Sequence, residues 1–368
     1  MKLLVQPGDG ITPLIKGINS AKDCIEIAIF RFDRREIEMA LGNAVKRGVH
    51  VNALIAYTNR GGEKNLRALE LRLLAAGVTV ARTADDLVRY HGKFMIVDQR
   101  ELYLLAFNFT YLDIEHSRSF GIITTNNKLV QEAGKLFEAD KNREPYTPAV
   151  AAFVVSPANA RKQLSSFIKG AKNELLIYDP EISDPAMIRL LDERAKAGVD
   201  IRIIGRLSRA SANLKVRKLP QLRLHTRTMI RDGRDAFVGS QSLRPAELDS
   251  RREVGIIFRD SRVVSRLNKT FQSDWESKEQ PGEQVVAEET PHLTKVAKKI
   301  AKAVAKELPP MTPVLESTVK DLVGARTDVK MNAKEFEATV KDAVKEAVKQ
   351  AVTDAVEGAA VSKEAPKP

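Results

Sequence analysis

Short apolar runs alternate with longer stretches of helical period from the N-terminus as far as Trp275, and the same order of runs comes twice. Ile25–Phe30 and Leu175–Tyr178 are short, nearly continuous apolar segments, the pattern of strands buried on both faces. Each is followed by apolar residues at helical spacing, Glu36–Arg47 and Pro185–Ala197. Each helical stretch stops at a glycine, Gly48 or Gly198, as a C-terminal cap does. Val49–Ala56 and Val199–Ile204 are the next predicted strands, and Leu66–Ala76 is a further helix ending at Gly77. Phe94–Val97, Gly121–Thr124 and Gly255–Phe258 are shorter strand patterns. Helical patterns at Lys128–Lys141 and Arg262–Trp275 close the two series. Strand and helix in alternation predict an α/β layered fold.

The repetition holds at the level of residues. Val5-Gln-Pro7, Ile18-Asn-Ser-Ala21 and Gly48-Val49 find counterparts 150 residues on, in Val155-Ser-Pro157, Ile168-Lys-Gly-Ala171 and Gly198-Val199. Farther along, the offset falls to 134: it links His91 to His225, Asp98 to Asp232, Asn108 to Ser242 and Gly121 to Gly255. The difference of 16 residues places an insertion in the first series between Tyr57 and Ala84, around Asn59-Arg-Gly61-Gly62. The expected architecture is two similar halves, 1–146 and 150–278, each a mixed sheet flanked by helices, packed about a pseudo-twofold axis. Pro145 and Pro148 mark the junction.

The pattern changes after Ser277. Lys278-Glu-Gln-Pro281-Gly282-Glu-Gln reads as a linker, and 279–368 as a tail. Within it, Thr294–Leu308 is a basic amphipathic helix pattern, with Val296, Ile300, Val304 and Leu308 on one stripe and five lysines around the rest. Ala333–Val356 repeats Ala-Val every four residues between charges, a second amphipathic pattern. The basic segment suits an anionic membrane surface, and the Ala-Val segment suits a partner helix.

The 368 residues carry a net charge of +12, which points to an anionic partner, nucleic acid or an anionic bilayer, and does not choose between them. The one cysteine, Cys24, sits inside an apolar run and reads as a core residue, so no disulfide framework is expected. No apolar stretch approaches the ~20 residues that span a bilayer, and the run after Met1 is too short for a secretory leader. The expected location is cytoplasmic, with a peripheral membrane contact through 294–308.

Two of the five histidines stand in the repeat. His91-Gly-Lys93-Phe-Met-Ile-Val-Asp98 and His225-Thr-Arg227-Thr-Met-Ile-Arg-Asp232 both read H-x-(K/R)-x-x-x-x-D. Two imidazoles facing one phosphodiester can divide its cleavage between them. One attacks phosphorus and the other protonates the leaving oxygen, then activates water. Lys93 and Arg227, two residues on along a strand, point to the same face as their histidine and can bind the phosphate oxygens. The scheme needs no metal and no cofactor, and no Cys/His zinc spacing is present. His50 and His116 are not doubled and read as ordinary histidines. Asp98 and Asp232 end their strands and read as structural.

These motifs, with Ala106-Phe107-Asn108, Gly239-Ser240-Gln-Ser242 and Phe271-Gln-Ser-Asp274-Trp275, make residues 1–278 resemble the phospholipase D superfamily. The resemblance implies one composite site where the two halves meet, a phosphohistidine intermediate, and phosphate-holding roles for the basic residues and for Asn108, Ser240 and Ser242. It implies an enzyme that hydrolyses or transfers phosphatidyl groups, or a nuclease acting on DNA or RNA. One chain supplies both half-sites, so a monomer suffices.

The chain departs from the family pattern at Arg227 in place of lysine, at Leu105-Ala106 in place of Gly-Ser, and at Ser119. A glutamate that orients a histidine is usual in the family, and only the second half has it, as Glu253, 28 residues after His225. On this reading His91 is the nucleophile, and His225, held by Glu253, is the acid and base. A phosphate-binding pseudoenzyme is the alternative these departures leave open.

Overall fold

A computed structural model describes residues 1–57, 63–84 and 89–277, within one compact unit that runs from Met1 to Val285. The tail segments 294–308 and 333–356 and the Asn59–Gly62 stretch lie outside the described residues. In the first half the elements are β1 (Lys2–Gln6), α1 (Thr12–Ser20), β2 (Cys24–Ile29), α2 (Arg35–Lys46), β3 (His50–Ile55), α3 (Glu63–Ala75), β4 (Thr79–Arg82), β5 (Arg89–Tyr90), β6 (Phe94–Val97), β7 (Glu101–Leu105), α4 (Tyr111–Glu115), β8 (Ser117–Thr124) and α5 (Asn127–Asn142). The second half continues with β9 (Phe153–Val155), α6 (Ala160–Lys169), β10 (Glu174–Ile182), α7 (Pro185–Lys196), β11 (Asp200–Leu207), β12 (Lys215–Arg217), β13 (Arg223–Leu224), β14 (Arg227–Arg231), β15 (Asp235–Gly239), α8 (Pro245–Asp249), β16 (Arg251–Arg252), β17 (Val254–Phe258) and α9 (Ser261–Glu276).

The two main sheets have matching order, β1-β8-β7-β6-β2-β3-β4 and β9-β17-β15-β14-β10-β11-β12. Each mixes parallel pairs, such as β2 with β3 and β10 with β11, and antiparallel ones, such as β6 with β7 and β14 with β15. The mixed α/β fold of two similar halves predicted from the apolar pattern is the fold present. Helix α3 is the insertion: no helix stands between β11 and β12. The apolar pattern does not single out β1, β7, β9 or β15, which are short and lie among polar turns.

Local chemistry sets the element ends. Asn126 and Asp260, 134 residues apart, both cap their helices, accepting hydrogen bonds from the first-turn amides of α5 and α9. Asp184 does the same for α7, with Pro185 at the first helical position, where its missing amide hydrogen costs nothing.

Apolar side chains fall into three clusters. One is built from α1, α2, α3 and the outer face of the first sheet, and a second from α6, α7 and the outer face of the second. The third is shared: Leu104, Phe120 and Phe137 of the first half pack in the same cluster as Tyr178, Val254, Val264 and Phe271 of the second. Helices α5 and α9 both contribute to this shared core.

The halves also exchange strands. β13 of the second half pairs with β8 of the first, and β5 of the first pairs with β16 of the second. Two ion pairs cross in the same sense. Arg118 grips Asp274 through both Nε and Nη2, at 2.7 and 2.9 Å, and Arg252 reaches Asp140 at 3.0 Å. Each pair joins a strand of one half to the closing helix of the other. The Tyr178 hydroxyl donates to Asp274 at 2.6 Å, so that carboxylate serves three donors. Among the described residues no helix is long and apolar enough to cross a membrane.

Removing one partner of a buried pair leaves an uncompensated charge. Asp274→Ala is therefore expected to lower the unfolding free energy by about 3–5 kcal/mol. Urea unfolding followed by Trp275 fluorescence checks this, and a loss near zero would mean that Arg118 finds water or another acceptor.

Candidate active site

The crossing strands deliver the histidines. The amide N–H of His91, just after β5, donates to Arg252 C=O of the second half at 2.7 Å. That of His225, just after β13, donates to Arg118 C=O of the first half at 3.1 Å. His91 and His225 are each 7 % exposed. Lys93 and Arg227 follow at equivalent places and make equivalent bonds. Lys93 Nζ donates to the carbonyl of His91 at 2.7 Å, and Arg227 Nη1 donates to that of His225 at 2.6 Å. Lys93 is 1 % exposed. The charges of Lys93 and Arg227 both act on each histidine, so the two half-motifs form one electrostatic site.

Glu253 orients a histidine, but not the expected one. Its Oε2 lies 2.7 Å from His91 Nδ1, across the half–half boundary. Strand exchange is the reason: β16, which leads into Glu253, pairs with β5, which leads into His91. The sequence reading paired Glu253 with His225, and the structure corrects it. With Glu253 ionised, His91 Nδ1–H donates to it and the Nε2 lone pair is left free.

His225 has a different partner, Asp113 of α4, whose Oδ2 lies 3.5 Å from His225 Nδ1. The place opposite Glu253 in the repeat is Ser119, fully buried, whose hydroxyl has no partner among the described residues. Asp113 is the main residue that the motif reading missed. It is buried and accepts from Asn108 N at 2.8 Å, Asn108 Nδ2 at 2.6 Å and Arg223 Nη1 at 2.7 Å. Its counterpart 134 residues on is Glu247 of α8, which accepts from Ser242 N at 2.7 Å. That pairing of two carboxylates at the repeat offset is the signal that could have found them.

The predicted phosphate-holding residues sit in this network. Asn108 is tied to Asp113. Ser242 Oγ accepts from Arg227 Nε at 3.1 Å. Ser240 Oγ accepts from Val254 N at 3.0 Å, on the strand next to Glu253. Asp98 and Asp232 stand apart from the histidines. Each accepts from three successive amides, of Lys22, Asp23 and Cys24 or of Lys172, Asn173 and Glu174, at turns where the aspartate itself has φ near +50°. They tie β6 and β14 to β2 and β10.

Burial dominates the titration of the site. It pushes the Glu253 carboxyl up to about 8, with the nearby Glu247 charge adding to it and Lys93 opposing. Burial pushes both imidazoles well below their ordinary value, helped by the surrounding cations, while Asp113 opposes this for His225. Lys93 is likewise lowered by burial, against the attraction of Glu253. Asp113 goes the other way: burial raises it, but His225, Arg223 and the Asn108 amide hold it below the usual carboxylate range. Among the described residues no group of three or more His, Cys, Asp or Glu side chains could share a metal ion.

A buried carboxyl that ionises only near 8, against 4.5 for an ordinary one, favours the unfolded chain as pH rises through that window. The stability difference, wild type minus Glu253→Gln, is expected to fall steadily between pH 5 and pH 8 and then level. Denaturant midpoints at each pH measure it. A flat difference would mean that Glu253 is already ionised in the folded state.

A family description, "Cardiolipin synthase, PLD-like domain", matches residues 14–141 and 164–275, one segment in each half. Polyphosphate kinase of Prosthecochloris aestuarii is 25 % identical over 296 residues, which is 72 % of this chain and 41 % of that protein. Mitochondrial cardiolipin hydrolase of Danio rerio is 32 % identical over 130 residues, 34 % of this chain and 56 % of that one. The chain thus spans about half the length of these curated relatives. The crystal structure of polyphosphate kinase from Porphyromonas gingivalis superposes with a TM-score of 0.64 at 18 % identity, covering 77 % of this chain and 53 % of that one. With both segments of the family matched and both half-motifs brought to one site, the chain belongs to the phospholipase D-like family.

Proposed function

We propose that the protein is a metal-independent phosphodiesterase or phosphatidyltransferase acting on phospholipids through a phosphohistidine on His91. The observation that carries the reading is the Glu253–His91 hydrogen bond. Once Glu253 gives up its proton, which burial delays to about 8, it holds His91 with Nε2 free, beside a second imidazole that has its own carboxylate.

His91 Nε2 gives its lone pair to phosphorus and forms an N–P bond. The P–O bond to the leaving alcohol breaks, its electron pair stays on oxygen, and that oxygen takes a proton from His225 Nε2. In the second step His225 removes a proton from water or an acceptor alcohol, whose oxygen attacks phosphorus. The N–P bond breaks and its electrons return to His91 Nε2. Lys93 and Arg227 meet the charge on the phosphate oxygens, while Asp113 and the charge of the arriving phosphate oppose the burial that disfavours protonated His225. Ser119 and Ala106 leave one side of the site without a carboxylate and a hydroxyl that the other side has in Glu253 and Ser240, while Arg227 keeps the charge of the usual lysine with a planar fork.

Support for a phosphatidyl substrate comes from the cardiolipin hydrolase likeness, the stronger in identity, and from the family description. On this reading the basic stripe of Thr294–Leu308 meets an anionic bilayer. A second reading has one observation behind it: the polyphosphate kinase likeness is far longer, 296 residues. On it the phosphohistidine forms at the expense of a condensed phosphate.

The test is release of choline or glycerol from phospholipid vesicles, in EDTA, by wild type, His91→Ala and His225→Ala. Turnover in the wild type alone is expected, with losses of at least about 10²–10⁴ in each variant. Trapped phosphoenzyme should appear in His225→Ala and not in His91→Ala. Activity only on polyphosphate selects the second reading, activity only on DNA makes the protein a nuclease, and activity on none leaves a phosphate-binding pseudoenzyme.

Asp113 favours the protonated imidazole of His225. Asp113→Asn is expected to move the alkaline limb of the kcat–pH profile to lower pH, because the acid then loses its proton sooner. An unmoved limb with reduced kcat would assign Asp113 a purely structural part.

A further inference from the structure

The two half-sites differ most in their arginines. Arg223 stands two residues before His225, and Arg89 two before His91, at the repeat offset of 134. Arg223 is neutralised: its Nη1 donates to Asp113 at 2.7 Å and to Ser117 Oγ at 3.0 Å. The same offset maps Asp113 onto Glu247 and Ser117 onto Arg251. In the His91 half, Arg251 therefore stands in the place of the serine and takes the carboxylate itself, at 3.2 Å. Arg89 is left facing Arg251 directly across the β5–β16 pair. It forms no ion pair among the described residues, and its Nε is buried with no hydrogen-bond partner.

A third guanidinium joins them. Arg31 lies 5.7 Å and Arg89 4.4 Å from the centre of the Phe30 ring, which is itself edge-on to His91 at 4.7 Å. The counterpart of Arg31, 150 residues on, is Glu181, so the charge is reversed in the other half. Burial and the charges of Arg251 and Arg31 push Arg89 down to about 10. Like charges gathered beside a site, where among the described residues the one bonded carboxylate, Glu247, is taken by Arg251, make a place that an anion relieves.

We propose that Arg31, Arg89 and Arg251 form a subsite for a second, non-reacting phosphate of the substrate, on the His91 side of the bond that is cleaved. The assignment of the first phosphate rests on the phosphodiesterase reading. The second belongs to a phospholipid with two phosphates rather than to a polynucleotide. Phe30 is 2 % exposed and offers no open face for a base to stack on, and single-strand binding depends on such faces.

The binding test uses the full chain and two probes, inorganic phosphate and inorganic tripolyphosphate, titrated by calorimetry into wild type, Arg31→Ala, Arg89→Ala and Arg89→Lys. Arg189→Ala, on an exposed part of α7, controls for the loss of one charge. Tripolyphosphate is expected to bind the wild type at least about ten-fold more tightly than phosphate, a margin of roughly 1.4 kcal/mol. Arg31→Ala and Arg89→Ala should lose most of that margin with phosphate affinity little changed, Arg89→Lys should keep part of it, and the control should keep it all. Equal weakening of both probes, or an undiminished margin in both alanine variants, overturns the subsite.

Calorimetry needs no turnover, so this result stands whether or not the site cleaves a diester. The source of the phosphate is then read from turnover of diphosphatidylglycerol and phosphatidylglycerol vesicles matched in surface charge. Arg89→Ala should slow the first about ten-fold and spare the second. The same loss with a 5′-phosphorylated dinucleotide, and none with diphosphatidylglycerol, overturns the lipid assignment.

Discussion

The site depends on the crosswise exchange between the halves. β5 lies on β16 and β13 on β8, and the Arg118–Asp274 and Arg252–Asp140 pairs cross in the same sense. Each half thus holds the histidine of the other through a main-chain bond that the histidine amide donates to the carbonyl of Arg252 or Arg118. Neither half alone would have its histidine in place. Buried ion pairs of this sort stabilise less than their Coulomb energy suggests, because desolvation opposes them. Their directional bonds fix how the halves register, and the shared apolar core supplies the gain from burial.

From that frame follows a site with two unequal ends. Both halves keep a histidine and a cation, but the glutamate that bonds an imidazole is kept on one side only. Glu253 survives where the first half has Ser119, so the carboxylate bonded at 2.7 Å serves His91, and His225 relies on Asp113 at 3.5 Å. A phosphodiester is itself unequal across the reacting phosphorus, with an attacking side and a leaving side. On the proposed function the buried carboxylates divide the tasks on these two sides, by giving each imidazole a different neighbour.

The same loss of symmetry runs through the charges. A net positive chain need not present its charge evenly. Here Arg223 is cancelled by Asp113, while Arg89 and Arg31 gather near Phe30 and Arg251 faces Arg89 across the β5–β16 pair. In surroundings where burial already depresses Lys93 and both histidines, an added cation is costly unless an anion arrives. On the proposed subsite, a bound phosphate would relieve the repulsion between Arg89 and its neighbours, of which only Arg251 has a carboxylate in Glu247 among the described residues.

Period and repeat were enough to read the alternating strands and helices, the two halves, the insertion that is α3, and the pairing of His91 with His225. These are local or translational properties: burial enforces a period along the chain, and a duplication repeats side chains at a constant offset. Strand exchange is neither. Counting from His225 assigns Glu253 to its own motif, whereas β5 on β16 carries it to His91, 162 residues away. Asp113 and Arg89 escaped for a related reason. An aspartate on a short helix and an arginine before a motif look solvated in a sequence. What makes Asp113 a neighbour of His225, and leaves Arg89 without an ion pair among the described residues, is which side chain of the opposite half comes close, and only the packing of one half on the other decides that.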